Sequence, residues 1–196
     1  RKSIDALILT HLHTDHANGA AQLLSRVRVG TLYLPRETEE TSLLAEILSA
    51  AERQGTRVEY VTEDMTLPLG TALLTVWPPL LPESEDANEN GLILEAAQGN
   101  FEAFILGDAP SKAEKALVAS APLPDAEVLF VAHHGSNTST CKELLEAITP
   151  ETAVISVGYN TYGHPTQKVL DRLAKYNITV LRTDTDGEIT LTAGEE

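Results

Sequence analysis

The chain has 196 residues, 42% of them hydrophobic and 22% charged, with a net charge of −15. That is enough chain and enough apolar content for one substantial globular core. No apolar run reaches the roughly 18 residues needed to span a bilayer, and Cys141 as the single cysteine excludes an internal disulfide or a multi-thiolate zinc knot.

The acidic balance repels polyanions at long range, so a nucleic-acid substrate needs a local basic patch or metal ions to offset it. The first residue is Arg1 rather than Met, so the natural N-terminus is expected to lie upstream. No repeat or low-complexity segment interrupts the sequence, and one domain over residues 1–196 is expected. Nothing in the residues speaks to the oligomeric state.

In chain order, Ile4–Leu9 reads as a buried strand and Ala20–Val27 as a helix. Thr31–Leu34 is a short strand ending at Pro35. Thr41–Gln54 carries a helical stripe of Leu43, Leu44, Ile47, Leu48 and Ala51, with Gly55 as its stop. Arg57–Val61, Leu67–Leu69 and Ala72–Trp77 form a strand series, the last two joined at Gly70. Pro78 to Asn90, with its prolines and acidic residues, reads as a loop.

Leu92–Ala96 and Phe101–Leu106 flank the hairpin signal Gln98-Gly99-Asn100. Ser111–Ser120 follows as a helix with Ser111 as the expected N-cap. Then come strand Glu127–Val131, helix Ser139–Ile148, strand Ala153–Val157, helix Thr166–Tyr176 and strand Ile178–Leu181. A turn at Asp186-Gly187 leads to a last strand, Glu188–Leu191. Hairpins followed by βα alternation predict an α/β architecture, sheets covered by helices.

Four apolar runs end close to metal-type residues. Ile4–Leu9 leads to His11, His13, Asp15 and His16. Phe104–Leu106 leads to Asp108, Val128–Val131 to His133 and His134, and Val154–Val157 to His164. Imidazole and carboxylate are the ligands that borderline and hard divalent cations take. Ligands bind beyond the carboxyl ends of strands in α/β sheets, so four such ends are expected to converge. In an extended segment His11 and His13 share a face, while Asp15 and His16 fall where the chain turns into a helix and reach a second metal. Asp108 has two oxygens with which to bridge. Adjacent strand residues point opposite ways, so only one of His133 and His134 is expected to ligate. A lone histidine is more often structural than a ligand; the clustering outweighs that here. Cys141 reads as an ordinary thiol.

The His-x-His-x-Asp-His segment resembles the signature of the metallo-β-lactamase fold superfamily. Phe104-Ile105-Leu106-Gly107-Asp108 resembles its bridging-aspartate motif. His133-His134-Gly135-Ser136-Asn137-Thr138-Ser139 and Ser156-Val157-Gly158-Tyr159-Asn160-Thr161-Tyr162-Gly163-His164-Pro165 are similar to motifs of one branch. So are Asn88-Glu89-Asn90 with Leu92-Ile93-Leu94, and Arg182-Thr183-Asp184. That branch holds the hydrolase domain of ComEC-type DNA-internalisation competence proteins and its stand-alone relatives.

The resemblance implies an αββα sandwich, here expected to lack N-terminal strands because the first motif begins at residue 11. It implies two divalent metal ions, zinc or manganese, held by His11, His13, Asp15, His16, Asp108 and His133 or His134. Asp15 and His164 are the implied catalytic residues, and Ser136, Asn137 and Thr138 the implied substrate-binding ones. The superfamily's separate histidine between the first motif and the bridging aspartate has no counterpart here, so water, Asn88 or Asn90 is expected to complete the first site. ComEC-type domains often carry aspartate where His13 stands, which tilts the metal towards zinc.

The implied reaction is hydrolysis of a phosphodiester, with nucleic acid as a candidate substrate. Hydrolysis of a non-phosphate ester, thioester or lactam is the second reading, and a non-catalytic metal- or partner-binding domain the third. In ComEC-type proteins the domain lies outside the cytoplasm, attached to a membrane channel; a stand-alone relative would be cytoplasmic.

Overall fold

A computed structural model describes residues 2–36, 41–81, 84 and 86–193. Its elements in order are β1 (Ser3–Ile8), α1 (Thr14–Ala17), α2 (Ala20–Arg26), β2 (Arg28–Pro35), α3 (Ser42–Gln54), β3 (Arg57–Val61), β4 (Met65–Leu69), β5 (Ala72–Trp77), β6 (Ile93–Gln98), β7 (Phe101–Ile105), α4 (Ser111–Ser120), β8 (Val128–Phe130), α5 (Lys142–Ile148), β9 (Thr152–Ile155), α6 (Gln167–Lys175), β10 (Thr179–Arg182) and α7 (Thr183–Asp186). The loop expected from Pro78 to Asn90 includes Pro82, Glu83 and Glu85, which lie outside the described residues. Two compact units emerge. Unit 1 runs to Met65 and includes Trp77–Leu92; unit 2 comprises Thr66–Val76 and the chain from Ile93 onward.

Unit 1 is a three-stranded parallel sheet, β1-β2-β3. Its core gathers Leu9, Leu12, Leu24, Leu32, Leu34, Leu44 and Ile47. The stripe foreseen in α3 divides, with Leu44, Ile47 and Ala51 buried and Leu43 and Leu48 half-buried against them. Thr41 caps the helix, its Oγ1 accepting from the Leu44 amide at 3.1 Å. Gly55 closes it at φ 67°, a left-handed stop that costs glycine little. Strand β2 runs from Arg28, earlier than expected, because Arg28 and Val29 pair with Ser3 and Ile4 of β1 before β3 joins at Thr31. A Cβ at its Gly30 would sit 2.6 Å from the Asp5 carbonyl oxygen.

Unit 2 holds a seven-stranded sheet of order β10-β9-β8-β7-β6-β5-β4. Strands β6 and β7 form the foreseen antiparallel hairpin, and β7, β8, β9 and β10 run parallel. Alternation along the central strands buries both faces. Ala103, Val128 and Val154 cluster with Phe101, Phe130 and Ile189. The opposite parity, Phe104, Leu129, Ala153 and Ile155, is also buried. The C-terminal ends of β7, β8 and β9 therefore lie side by side at one edge of the sheet.

Three local expectations give way. Residues Glu188–Leu191 form no strand; Ile189 packs on the Ala103 cluster from irregular backbone, and this contact accounts for its apolar character. Ser111 is not the N-cap. Pro110 holds that position, while the Ser111 amide and hydroxyl both donate to the Thr138 carbonyl, at 2.8 and 2.7 Å. Helix α5 starts at Lys142 rather than Ser139, because the amides of Thr140 and Cys141 donate instead to the buried Glu114 carboxylate, at 2.6 and 2.7 Å.

Candidate metal-ligand sets

Unit 1 carries the first set just beyond β1. His11 is buried, 1% exposed, and Leu12 beside it enters the core, which fixes the alternation of the segment. The His11 and His13 ring centres lie 4.9 Å apart, edge to face, so the shared face expected from their spacing is realised. Helix α1 then turns His16 back, its ring centre 4.1 Å from that of His11. His16 Nε2 is 3.6 Å from Asp15 Oδ2. Thr10 braces the segment: its Oγ1 lies 3.2 Å from His11 Nδ1, and its carbonyl accepts from the Leu92 amide at 2.8 Å. The Asn88 backbone amide donates to Asp86 Oδ1 at 2.9 Å, while its side-chain oxygen is buried without a hydrogen-bond partner among the described residues; the Asn90 side chain donates to the Ser84 carbonyl.

Unit 2 carries the second set at the ends of β7, β8 and β9. Asp108 is buried after β7. His133 and His134 occupy a tight turn, Ala132–Gly135, and not a strand. Both have left-handed backbone, φ 53° and 52°, so the expectation that one must point away does not hold. His133 Nε2 lies 3.7 Å from Asp108 Oδ2, and His134 Nε2 lies 3.8 Å from Oδ1. The turn is anchored by the His133 amide, which donates to the Gly107 carbonyl at 3.0 Å.

His134 Nδ1 is 2.7 Å from the Ser156 carbonyl oxygen. A carbonyl only accepts, so Nδ1 carries the proton and Nε2 of the neutral ring keeps its lone pair. A lone pair and a carboxylate oxygen 3.8 Å apart are too distant for a hydrogen bond and well placed to share a cation. The donor chemistry of Asp108 and His134 thus suits a divalent metal.

The His164 ring centre is 5.7 Å from that of His133. Burial, then the neighbouring His133 and His134, hold its pKa below the ordinary histidine value. Its loop is stapled twice. The Asn160 amide donates to the Gly158 and His164 carbonyls at 3.0 and 2.8 Å, and Asn160 Oδ1 accepts from the His164 amide at 3.0 Å. The Thr166 amide donates to the Gly135 carbonyl at 2.9 Å. Gly135, at φ 83°, lies where a Cβ would stand 2.5 Å from Pro165 Cβ, so only glycine lets the two loops meet.

Of the three residues foreseen to bind substrate, Asn137 and Thr138 are exposed and Ser136 is buried, with its Oγ 2.9 Å from Thr138 Oγ1. Sequence reasoning missed Ser156, Asn160, Glu114 and Arg172. Arg172 donates to the Ser139 and Thr140 carbonyls, and with Glu114 it fixes the loop after the histidine turn. Asn160, four residues before His164 among glycines, carried a turn signal. Glu114 carried none, since it sits in a helix like any surface glutamate. Cys141 is buried, and burial followed by the nearby Glu114 pushes its thiol up to about 12, so it is a packing group and not a nucleophile.

An α/β fold with imidazole and carboxylate donors beyond its strand ends is the arrangement of a metal-binding class, and the chain belongs to the metallo-beta-lactamase superfamily, whose family model matches residues 1–159. It is 36% identical over 189 residues to ComE operon protein 3 of Bacillus subtilis, covering 96% of this chain and 24% of that protein. It is 30% identical over 192 residues to competence protein ComA of Neisseria gonorrhoeae, covering 96% of this chain and 25% of the relative. The chain therefore spans about a quarter of these relatives.

Among solved structures it is similar to CmlA, a diiron beta-hydroxylase from Streptomyces venezuelae. The TM-score is 0.61 at 14% identity, over 94% of this chain and 44% of that one. The metallo-beta-lactamase fold protein YhfI from Bacillus subtilis gives a TM-score of 0.57 at 12% identity, over 92% of this chain and 75% of that one. Both show the fold. No helix among the described residues is long and apolar enough to cross a membrane.

Proposed function

We propose that this chain is a metal-dependent phosphodiesterase of nuclease-like activity using two divalent ions, zinc or manganese. The observation that carries the reading is the tautomer imposed on His134, whose Nδ1–H donates to the Ser156 carbonyl and leaves the Nε2 lone pair able to ligate a cation beside Asp108. A relative named as a competence protein supports a phosphodiester over other esters.

In unit 1, His11, His13, Asp15 and His16 are the proposed ligands; in unit 2, Asp108, His133 and His134. When bound, the ions supply Lewis acidity and activate water. The chain's own groups do the rest. Asp15, exposed on α1, serves as the carboxylate that takes a proton from the attacking water. His164, whose pKa burial lowers, donates a hydrogen bond to the leaving oxygen. Asn137 and Thr138, exposed after the histidine turn, hydrogen-bond phosphate oxygens, and Ser136 holds Thr138 for that contact.

The test is hydrolysis of bis-p-nitrophenyl phosphate and of single-stranded DNA by protein supplied with zinc or manganese. Bound metal per chain is measured in parallel. About two ions per chain and loss of at least ~100-fold in activity for His11→Ala and Asp108→Ala are expected. Undiminished activity in either variant would sink the reading. A thioester and lactam panel under the same conditions separates the second reading, and full metal occupancy without turnover on any substrate points to a binding domain.

A further inference from the structure

The loop Gly158–Gly163 presents two tyrosines with almost nothing against them. Tyr159 is 99% exposed and Tyr162 is 82% exposed. Large aromatic side chains dominate core energetics when buried, so rings left in water contribute almost nothing to this fold. Their backbone is nonetheless fixed. Asn160, between them, ties Gly158 to His164 through three hydrogen bonds, and the following Thr166 is tied to Gly135. The rings are therefore held out on a braced loop. They also stand beside chemistry: the Tyr162 ring centre is 6.1 Å from that of His164, the planes inclined by 34°.

We propose that Tyr159 and Tyr162 form a stacking platform for the bases that flank the scissile phosphate of a single-stranded nucleic acid. The proposal rests on the phosphodiesterase reading and names its substrate class. Phenol rings at the edge of a phosphodiester site suit the one substrate whose repeating unit carries a flat aromatic face beside each phosphate. Stacking tolerates any base and needs the strand unpaired, because a duplex hides those faces. The charge of −15 works against any polyanion at long range. An acidic chain gains little from long-range attraction to a polyanion, so contacts with the bases must supply affinity that the phosphates do not.

The experiment compares a fluorescein-labelled oligothymidylate of twelve nucleotides with an abasic strand of equal length. Binding is read by anisotropy in EDTA, and cleavage is read separately with manganese. The wild type is expected to bind the base-bearing strand about tenfold or more tighter than the abasic one. Tyr159→Ala/Tyr162→Ala should erase that ratio, and Tyr159→Phe/Tyr162→Phe, which keeps both rings, should restore it. Hydrolysis of methyl p-nitrophenyl phosphate should stay unchanged in both double variants.

Equal binding of the two strands by the wild type, or an alanine variant that still prefers bases, overturns the platform. So does tyrosine-dependent binding to phosphatidylcholine–phosphatidylglycerol vesicles without base preference. If no phosphodiester is cleaved under any metal condition, the phosphodiesterase reading fails, while the anisotropy ratio still decides the platform.

Discussion

Within unit 1, one short stretch of backbone sets the donors. Strand β1 ends, His11 and His13 alternate on one face, and α1 turns His16 back beside His11. Within unit 2, Asp108, His133, His134 and His164 come from the ends of three adjacent parallel strands. The first set is local and depends on extended geometry. The second is assembled, and it depends on residues that touch no candidate metal: Ser156, Asn160, Glu114, Arg172, Gly135 and Thr166. Unit 2 should therefore be fragile to substitutions well away from its donors, and unit 1 should not.

Gly135→Ala is the strongest way to break the contrast. It adds a Cβ against Pro165 at a left-handed φ. About 3–5 kcal/mol of unfolding free energy should be lost, from backbone strain and overpacking together. Urea denaturation measures this, and metal binding per chain should fall along with it. Glu114→Ala comes next. It strips the acceptor from the Thr140 and Cys141 amides, at a cost of about 2–3 kcal/mol. A thermal melt reads that loss, and Glu114→Gln, which keeps one acceptor oxygen, should recover part of it.

Thr41→Ala tests the other half. It removes the cap of α3 in unit 1 and should cost about 1 kcal/mol, with bound metal per chain unchanged at temperatures below the melt. A fall in bound metal as large as that of Gly135→Ala would erase the distinction between the two sets.

The smallest effect lies at the hairpin end of the seven-stranded sheet. Burial, then Glu95 and Glu127, push Glu102 up from 4.5 to about 7. A carboxyl raised on folding contributes stability that is complete below about pH 4.5 and lost as pH rises through about 7. Glu102→Gln should flatten the urea midpoint across that window and leave the variant the more stable above pH 7. A wild-type midpoint that rises from pH 5 to 8, by the amount seen in the variant or more, would contradict this.

Periodicity and turn chemistry made much of each unit legible in the sequence alone. The stripe of α3 with Thr41 and Gly55, the hairpin around Gly99 and the placement of Asp108, His133-His134 and His164 after apolar runs all followed from local rules. So did the shared face of His11 and His13, because alternation is a property of extended backbone. Tertiary structure decided the remainder. Both imidazoles of His133-His134 face Asp108 because left-handed backbone, which no local pattern announced, replaces the expected strand. Helix α5 yields its first turn because a buried carboxylate from α4 outcompetes helical hydrogen bonding at Thr140 and Cys141. Ile189 forms no strand because its partner is a side-chain cluster and not a backbone ladder. In each case the deciding group lies far away in sequence, and a local pattern carries no record of a partner that only folding brings near.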